Sequence, residues 1–196
     1  LLDWFDQKDY IKVTTSGSTG LPKEVELKKQ AMIQSALATG DFFGLKPGDK
    51  ALLCLPTQFI AGKMMLVRSL ILGLELDTVE PSLDPLVLNK TQYDFVAMVP
   101  LQVQNSIDDL VNVKKLIVGG AKMDTALEEK LLPLKTAIYE TYGMTETITH
   151  IAAKQVGEKA FSILPNVKIY RDERECLVIS LPSVSDEPIV TNDLVE

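Results

Sequence analysis

The sequence is poor in the residues that build metal centres and disulfide frameworks. Its 196 residues include two cysteines and one histidine. Cys54 and Cys176 lie far apart, each inside an apolar run. They are expected to be buried as small hydrophobes in a reducing compartment, not paired in a disulfide scaffold. There is no C-x-x-C, and His150 alone cannot complete a zinc site. Basic runs are also missing: 20 Lys and Arg against 27 Asp and Glu give a formal net charge of −7. That balance lacks the electrostatic footprint of a nucleic-acid binder. The most apolar stretch, Ala51 to Leu76, is interrupted by Lys63 and Arg68, which argues against a membrane span. Aromatics are sparse at 6%, but 46% of the residues are hydrophobic. Disorder, collagen and low-complexity classes are thereby excluded. The acidic opening Leu1-Leu2-Asp3-Trp4-Phe5-Asp6 does not read as a secretory signal, so a cytoplasmic protein is expected. With no initiator Met, and with Val190 to Glu196 closing on an apolar run, the chain reads as a piece of a longer protein.

What is present is an alternation of apolar β-rich runs and helical stretches. Strands are expected near Lys12–Thr15, Ala51–Leu55, Leu74–Val79, Asp94–Val99, Lys115–Val118 and Thr136–Glu140. Helices are expected over Lys28–Phe43, closed by Gly44, and over Ile60–Leu72, closed by Gly73. Further helices are expected over Leu101–Leu110 and over Asp124–Leu132, with Asp124 as N-cap. This order predicts an α/β fold: a mostly parallel sheet with flanking helices. After residue 150 the segments Phe161–Tyr170 and Glu175–Leu181 read as extended, which predicts a smaller β-subdomain. The expected division is 1–150 as the α/β portion and 151–196 as a β-rich portion of the same large domain.

The densest chemical signal is Thr15-Ser16-Gly17-Ser18-Thr19-Gly20-Leu21-Pro22-Lys23. Its glycines let backbone N–H groups approach an anion, its hydroxyls add donors, and Lys23 adds a point charge for phosphate. It is not a Walker A loop, because Pro22 precedes Lys23 and Glu24 follows it. It contains no G-x-G-x-x-G dinucleotide fingerprint either. A conventional P-loop ATPase is therefore disfavoured.

This segment resembles the phosphate loop of the adenylate-forming superfamily, which includes acyl-CoA synthetases and peptide-synthetase adenylation domains. Four further stretches match that family in order. Leu55-Pro56-Thr57-Gln58-Phe59-Ile60-Ala61-Gly62 resembles the element bordering the acyl pocket. Gly119-Gly120-Ala121 resembles the turn beside adenine. Tyr142-Gly143-Met144-Thr145-Glu146 resembles the Tyr-Gly-x-Thr-Glu element, and Thr191-Asn192-Asp193 resembles the family's Thr-Gly-Asp. The resemblance implies carboxylate activation by ATP with Mg2+, followed by transfer of the acyl group to coenzyme A. It implies that Thr15, Ser16, Gly17, Ser18, Thr19, Gly20 and Lys23 hold the β- and γ-phosphates. Tyr142 would pack on adenine, with Gly119, Gly120 and Ala121 opposite and Gly143 and Met144 completing the turn. Thr145 would bond the α-phosphate, Glu146 would hold magnesium, and Asp193 would accept the ribose hydroxyls. Lys23, Thr145 and Glu146 are the implied catalytic set. Phe59, Gly62 and Lys63 are the implied acid-binding set.

Departures from the family pattern are Glu24 and Asn192, where relatives often carry Gly, and Phe59, where many carry His. The compact spacing leaves little room for a large fatty-acyl tunnel, and Ala61-Gly62-Lys63-Met64-Met65, Thr145-Glu146-Thr147 with His150 nearby, and Thr191-Asn192-Asp193 together most resemble short o-succinylbenzoate–CoA ligases of menaquinone biosynthesis. Their acid carries a second carboxylate that needs a cation. Lys63 is the first candidate for it and Arg68 the second. Another small aryl- or acyl-CoA ligase, or a non-catalytic nucleotide-binding module, remains an alternative. The expected partners are a small carboxylic acid, ATP and CoA, with neither nucleic acid nor membrane. The family's C-terminal domain, with its adenylation lysine, is expected to be absent from this chain. Leu194 and Val195 form a candidate edge for homodimerisation.

Overall fold

The computed structural model describes residues 2–14, 24–87 and 90–195. The phosphate-loop residues 15–23 lie outside the described residues. Before that loop, β1 (Tyr10–Thr14) pairs antiparallel with β2 (Glu24–Lys28) after it. A strand therefore follows the loop, ahead of the helix. Glu24-Val25-Glu26-Leu27-Lys28 alternates charged and apolar residues with the period of two that puts Leu27 inward. Glu24 turns its carboxylate to the Lys12 amine across the hairpin at 2.6 Å. Helix α1 (Lys29–Phe43) follows directly and ends at Gly44 in the left-handed conformation.

The main sheet has seven strands in the order β4-β3-β5-β6-β7-β8-β9. Its parallel part comprises β3 (Lys50–Leu53), β4 (Glu75–Thr78), β5 (Tyr93–Met98), β6 (Val113–Val118) and β7 (Ala137–Gly143). Helix α2 (Ile60–Leu72) connects β3 to β4 and closes at Gly73, as its sequence predicts. The stretch expected as one helix after β5 divides into α3 (Pro100–Asn105) and a 3-10 segment, Ile107–Asn112. Helix α4 (Thr125–Leu131) starts at Asp124, whose carboxylate accepts from the Leu127 amide at 2.7 Å. A cap of this kind contributes about 1 kcal/mol.

Alternation along the strands feeds two cores. Leu52, Val96, Met98, Leu116 and Val118 face α3 and α4 with Leu127 and Leu131. Ala51, Leu53, Phe95, Ala97 and Ile117 face α1 and α2 with Phe43 and Met65. Both faces are covered, as a parallel sheet requires. Cys54 and Cys176 are buried and unpaired.

The sheet does not stop at residue 150. Strands β8 (His150–Gln155) and β9 (Ser162–Ile163) extend it antiparallel. The separate three-stranded antiparallel sheet comprises β10 (Lys168–Arg171), β11 (Cys176–Ser180) and β12 (Ile189–Leu194). By strand pairing, the β-subdomain begins near Lys168, later than the sequence division at 150. The tail after β9 is free of helix among the described residues.

Candidate active site

In an open α/β sheet, ligands bind beyond the carboxyl ends of the parallel strands. Three of the motifs follow those ends. Leu55-Pro56 follows β3, Gly119-Gly120-Ala121 follows β6, and Gly143 to Glu146 closes β7. Strands β6 and β7 are neighbours, so the last two motifs lie side by side. The Gly119 amide donates to the Met98 carbonyl at 3.1 Å. A buried carboxylate braces the turn from below: Glu140 accepts from the Met123 amide at 3.1 Å and pairs with Lys154 at 3.0 Å.

After Gly143 the chain makes a 3-10 turn, Thr145–Thr147. The Thr147 hydroxyl accepts from the Met144 amide at 3.0 Å and donates to the Thr149 carbonyl at 2.7 Å. Ile148 adopts φ 67°, an unfavourable region for a β-branched residue. Its side chain is buried in the β1–α1–α2 core, which holds the strained turn in place. The turn leaves Glu146 exposed, without an ion pair or hydrogen bond among the described residues. No cluster of three potential metal-ligating side chains occurs among the described residues. A lone exposed carboxylate fits Mg2+, which commonly takes one or two protein carboxylates plus phosphate oxygens and water.

Asp193 is exposed on β12 and accepts a hydrogen bond from the Tyr142 hydroxyl. These two residues, the implied ribose and adenine contacts, are therefore adjacent. Asn192 lies in the strand and needs no left-handed backbone; its side chain accepts from Arg174 at 3.1 Å.

On α2, Lys63 and Arg68 face apart. Lys63 lines a shallow recess with Trp4, Ile11, Val67 and Leu70. Arg68 is 2% exposed and points at the loop behind Glu146. Lys63 therefore lies away from this loop, and among the described residues the cation bonded to it is Arg68. Phe59 is half-buried at the start of α2. Gly62 packs so closely that a Cβ there would stand 2.7 Å from the Leu55 carbonyl oxygen.

Arg68 begins a directed chain of donors. Its Nη2 donates to Thr149 Oγ1 at 3.1 Å. Thr149 Oγ1 lies 3.0 Å from His150 Nδ1. His150 Nε2 lies 3.4 Å from Thr39 Oγ1, which donates to the Ser35 carbonyl at 2.9 Å. Because Thr39 gives its own proton to Ser35, it can only accept from His150 Nε2, so the neutral ring carries its hydrogen on Nε2 and Nδ1 accepts from Thr149. Burial and then the Arg68 charge hold the His150 pKa well below 6.5. His150 also borders a cavity of about 130 Å3 with Gln34, Ser35 and Thr147.

A stability effect follows with a definite sign. The unfolded chain binds a proton below pH 6.5 that the folded chain refuses. The contribution is complete well above that pH and is lost on acidification, by roughly 1 kcal/mol between pH 6.5 and 5.5. Because His150 is the only histidine, denaturant titrations between pH 6.5 and 5.5 should show this slope, and His150→Gln should flatten it. An unchanged slope in the variant would contradict the assignment.

Residues 10–174 match the family described as AMP-binding enzyme. The 2-succinylbenzoate–CoA ligase of Haemophilus influenzae is 31% identical over 81% of this chain and 37% of its own length. An acyl-CoA synthetase (AMP-forming)/AMP-acid ligase II-like protein from Dyadobacter fermentans superposes over the whole chain and 59% of its own, with TM-score 0.91 and 38% identity. The O-succinylbenzoate coenzyme A synthetase of Bacillus subtilis, solved with ATP and magnesium, shares the fold at TM-score 0.79 and 21% identity, over 90% of this chain and 42% of its own. The chain thus spans little more than a third of the Haemophilus relative. From the motifs at the strand ends and the family match across most of its length, the chain belongs to the AMP-binding enzyme family of adenylate-forming proteins.

Proposed function

We propose that the chain is the nucleotide- and acid-binding portion of an AMP-forming acid–CoA ligase acting on o-succinylbenzoate. A carboxylate oxygen of the acid attacks the α-phosphorus of ATP, and pyrophosphate leaves. The CoA thiol then takes the acyl group and AMP leaves. Two anions meet in the first step, so the residues contribute mainly position and opposite charge. In this reading the loop from Thr15 to Gly20 and Lys23 cradle the β- and γ-phosphates. Thr145 donates to the α-phosphate. Tyr142 covers adenine against Gly119, Gly120 and Ala121, and Asp193 accepts from ribose. Glu146 holds Mg2+, which neutralises phosphate charge when bound.

The observation that carries the choice of acid is Arg68. It is a buried cation with no acidic partner among the described residues, and its Nε lacks any hydrogen-bond partner. A second carboxylate on the acid supplies what it lacks, in a bidentate geometry suited to guanidinium. The name of the Haemophilus relative supports the same acid.

The test is pyrophosphate release with CoA on a protein of the relatives' full length, across o-succinylbenzoate, benzoate and short fatty acids. o-Succinylbenzoate should be preferred by at least about a hundredfold, the worth of a buried charge pair of about 3 kcal/mol. Lys63→Ala should leave that preference standing. Equal use of benzoate, or loss of the preference in Lys63→Ala, would overturn the assignment of acid or of cation.

A further inference from the structure

Tyr142 and Asp193 come from different sheets and stand 51 residues apart in sequence. The backbone around Asp193 is well held. The Thr191 hydroxyl donates to the Leu177 carbonyl at 2.9 Å and accepts from the Asp193 amide at 3.1 Å. Arg174 donates to the Thr191 carbonyl and to the Asn192 side chain, both at 3.1 Å. None of these bonds touches the Asp193 carboxylate. Among the described residues its one donor is the Tyr142 hydroxyl, on Oδ2. The Tyr142 ring packs on the Ile151, Leu177, Ile179 and Leu181 cluster, which joins β8 to the three-stranded sheet. The ring is therefore a fixed support, while the carboxylate without it is an exposed side chain free to rotate.

We propose that the Tyr142 hydroxyl is a positioning group for sugar recognition. It pins one Asp193 oxygen so that the other stays turned to the ribose hydroxyls. A carboxylate has about four acceptor sites, so the tyrosine bond leaves capacity for the sugar. The side chain under the base thereby also sets the readout of the sugar. Burial, followed by the bond to Asp193 and its charge, raises the Tyr142 pKa, which keeps the hydroxyl a donor near neutral pH. This inference rests on the proposed reading of Asp193 as the ribose acceptor.

The experiment is calorimetric binding of ATP and 2′-deoxyATP with Mg2+ to this chain and to Tyr142→Phe, Asp193→Ala and the double variant. Phe keeps the ring and removes only the hydroxyl. The preference for ATP over 2′-deoxyATP should fall about three- to tenfold in Tyr142→Phe, within the range of an ordinary net hydrogen bond. It should vanish in Asp193→Ala, and the double variant should match Asp193→Ala. A merely structural tyrosine would weaken both nucleotides equally and leave the ratio unchanged, which overturns the proposal. If Asp193→Ala loses the ratio while Tyr142→Phe keeps it, only the positioning role fails. If Asp193→Ala keeps the wild-type ratio, or the chain binds neither nucleotide, the proposed function fails and this inference with it.

Discussion

Gly143→Ala should lower the unfolding midpoint by roughly 6–12 °C, the equivalent of about 3 kcal/mol in a chain of this size. The reason is local. A Cβ on Gly143 would stand 2.5 Å from His150 Cα and closer still to the Thr149 carbonyl oxygen. Both are backbone atoms, and both are fixed. Thr149 O accepts from the Thr147 hydroxyl, and His150 opens β8, paired to β7 beside Gly143. The strand pair must spread, and the 3-10 turn carrying Thr145 and Glu146 moves with it. Nucleotide affinity in the folded fraction should therefore fall as well. Gly119→Ala is the contrast: its added Cβ meets only the Thr141 hydroxyl, at 2.7 Å. That hydroxyl can rotate away, giving up its bond to the Val118 carbonyl, at a cost of about 1 kcal/mol. Thermal melts and ATP titrations of the two variants distinguish them. Equal, small effects would mean that β7 and β8 are not locked at Gly143.

The same region shows what the sequence made legible. Helix α2 was readable to its last residue because Gly73 closes a continuous apolar stretch, and Asp124 announced α4 by its capping chemistry. Strand β2 was equally written in the alternation Glu24 to Lys28, but five residues between a glycine-rich loop and a helix are easily assigned to the helix. Strand β8 carried weaker information. His150-Ile151-Ala152-Ala153 is buried throughout, and a short buried run has no periodicity to separate strand from helix. For the acid site, five residues along a helix put Lys63 and Arg68 on different faces, but spacing alone does not say which face turns inward. That depends on Thr149, which lies 81 positions away from Arg68. Likewise the five motifs could be ordered along the chain, but the bond between Tyr142 and Asp193 is a product of tertiary packing alone.

Arg68→Met should raise stability while abolishing use of the dicarboxylic acid. The guanidinium carries five donors, and the described residues satisfy few of them. Thr149 takes one at 3.1 Å, Met65 sulfur accepts weakly at 3.7 Å, and Nε has no partner. Burial alone pulls its pKa down to about 10, so it remains charged at neutral pH and bears the full desolvation penalty. Buried ion pairs replaced by apolar side chains of similar volume gain up to about 1–4 kcal/mol, and a comparable gain here is roughly 2–16 °C in the unfolding midpoint. Loss of the positive charge should also let the His150 pKa rise toward 6.5 and make the stability loss on acidification shallower. In the full-length protein, kcat/KM for o-succinylbenzoate should fall by at least about a hundredfold, with ATP affinity unchanged. Such a trade, with stability held down for a group the fold itself does not need, is expected of a residue kept for its ligand. Were Arg68→Met to destabilise the chain by more than about 1 kcal/mol and leave the acid preference intact, Arg68 would be a structural anchor for Thr149. The second carboxylate would then have to find its cation elsewhere.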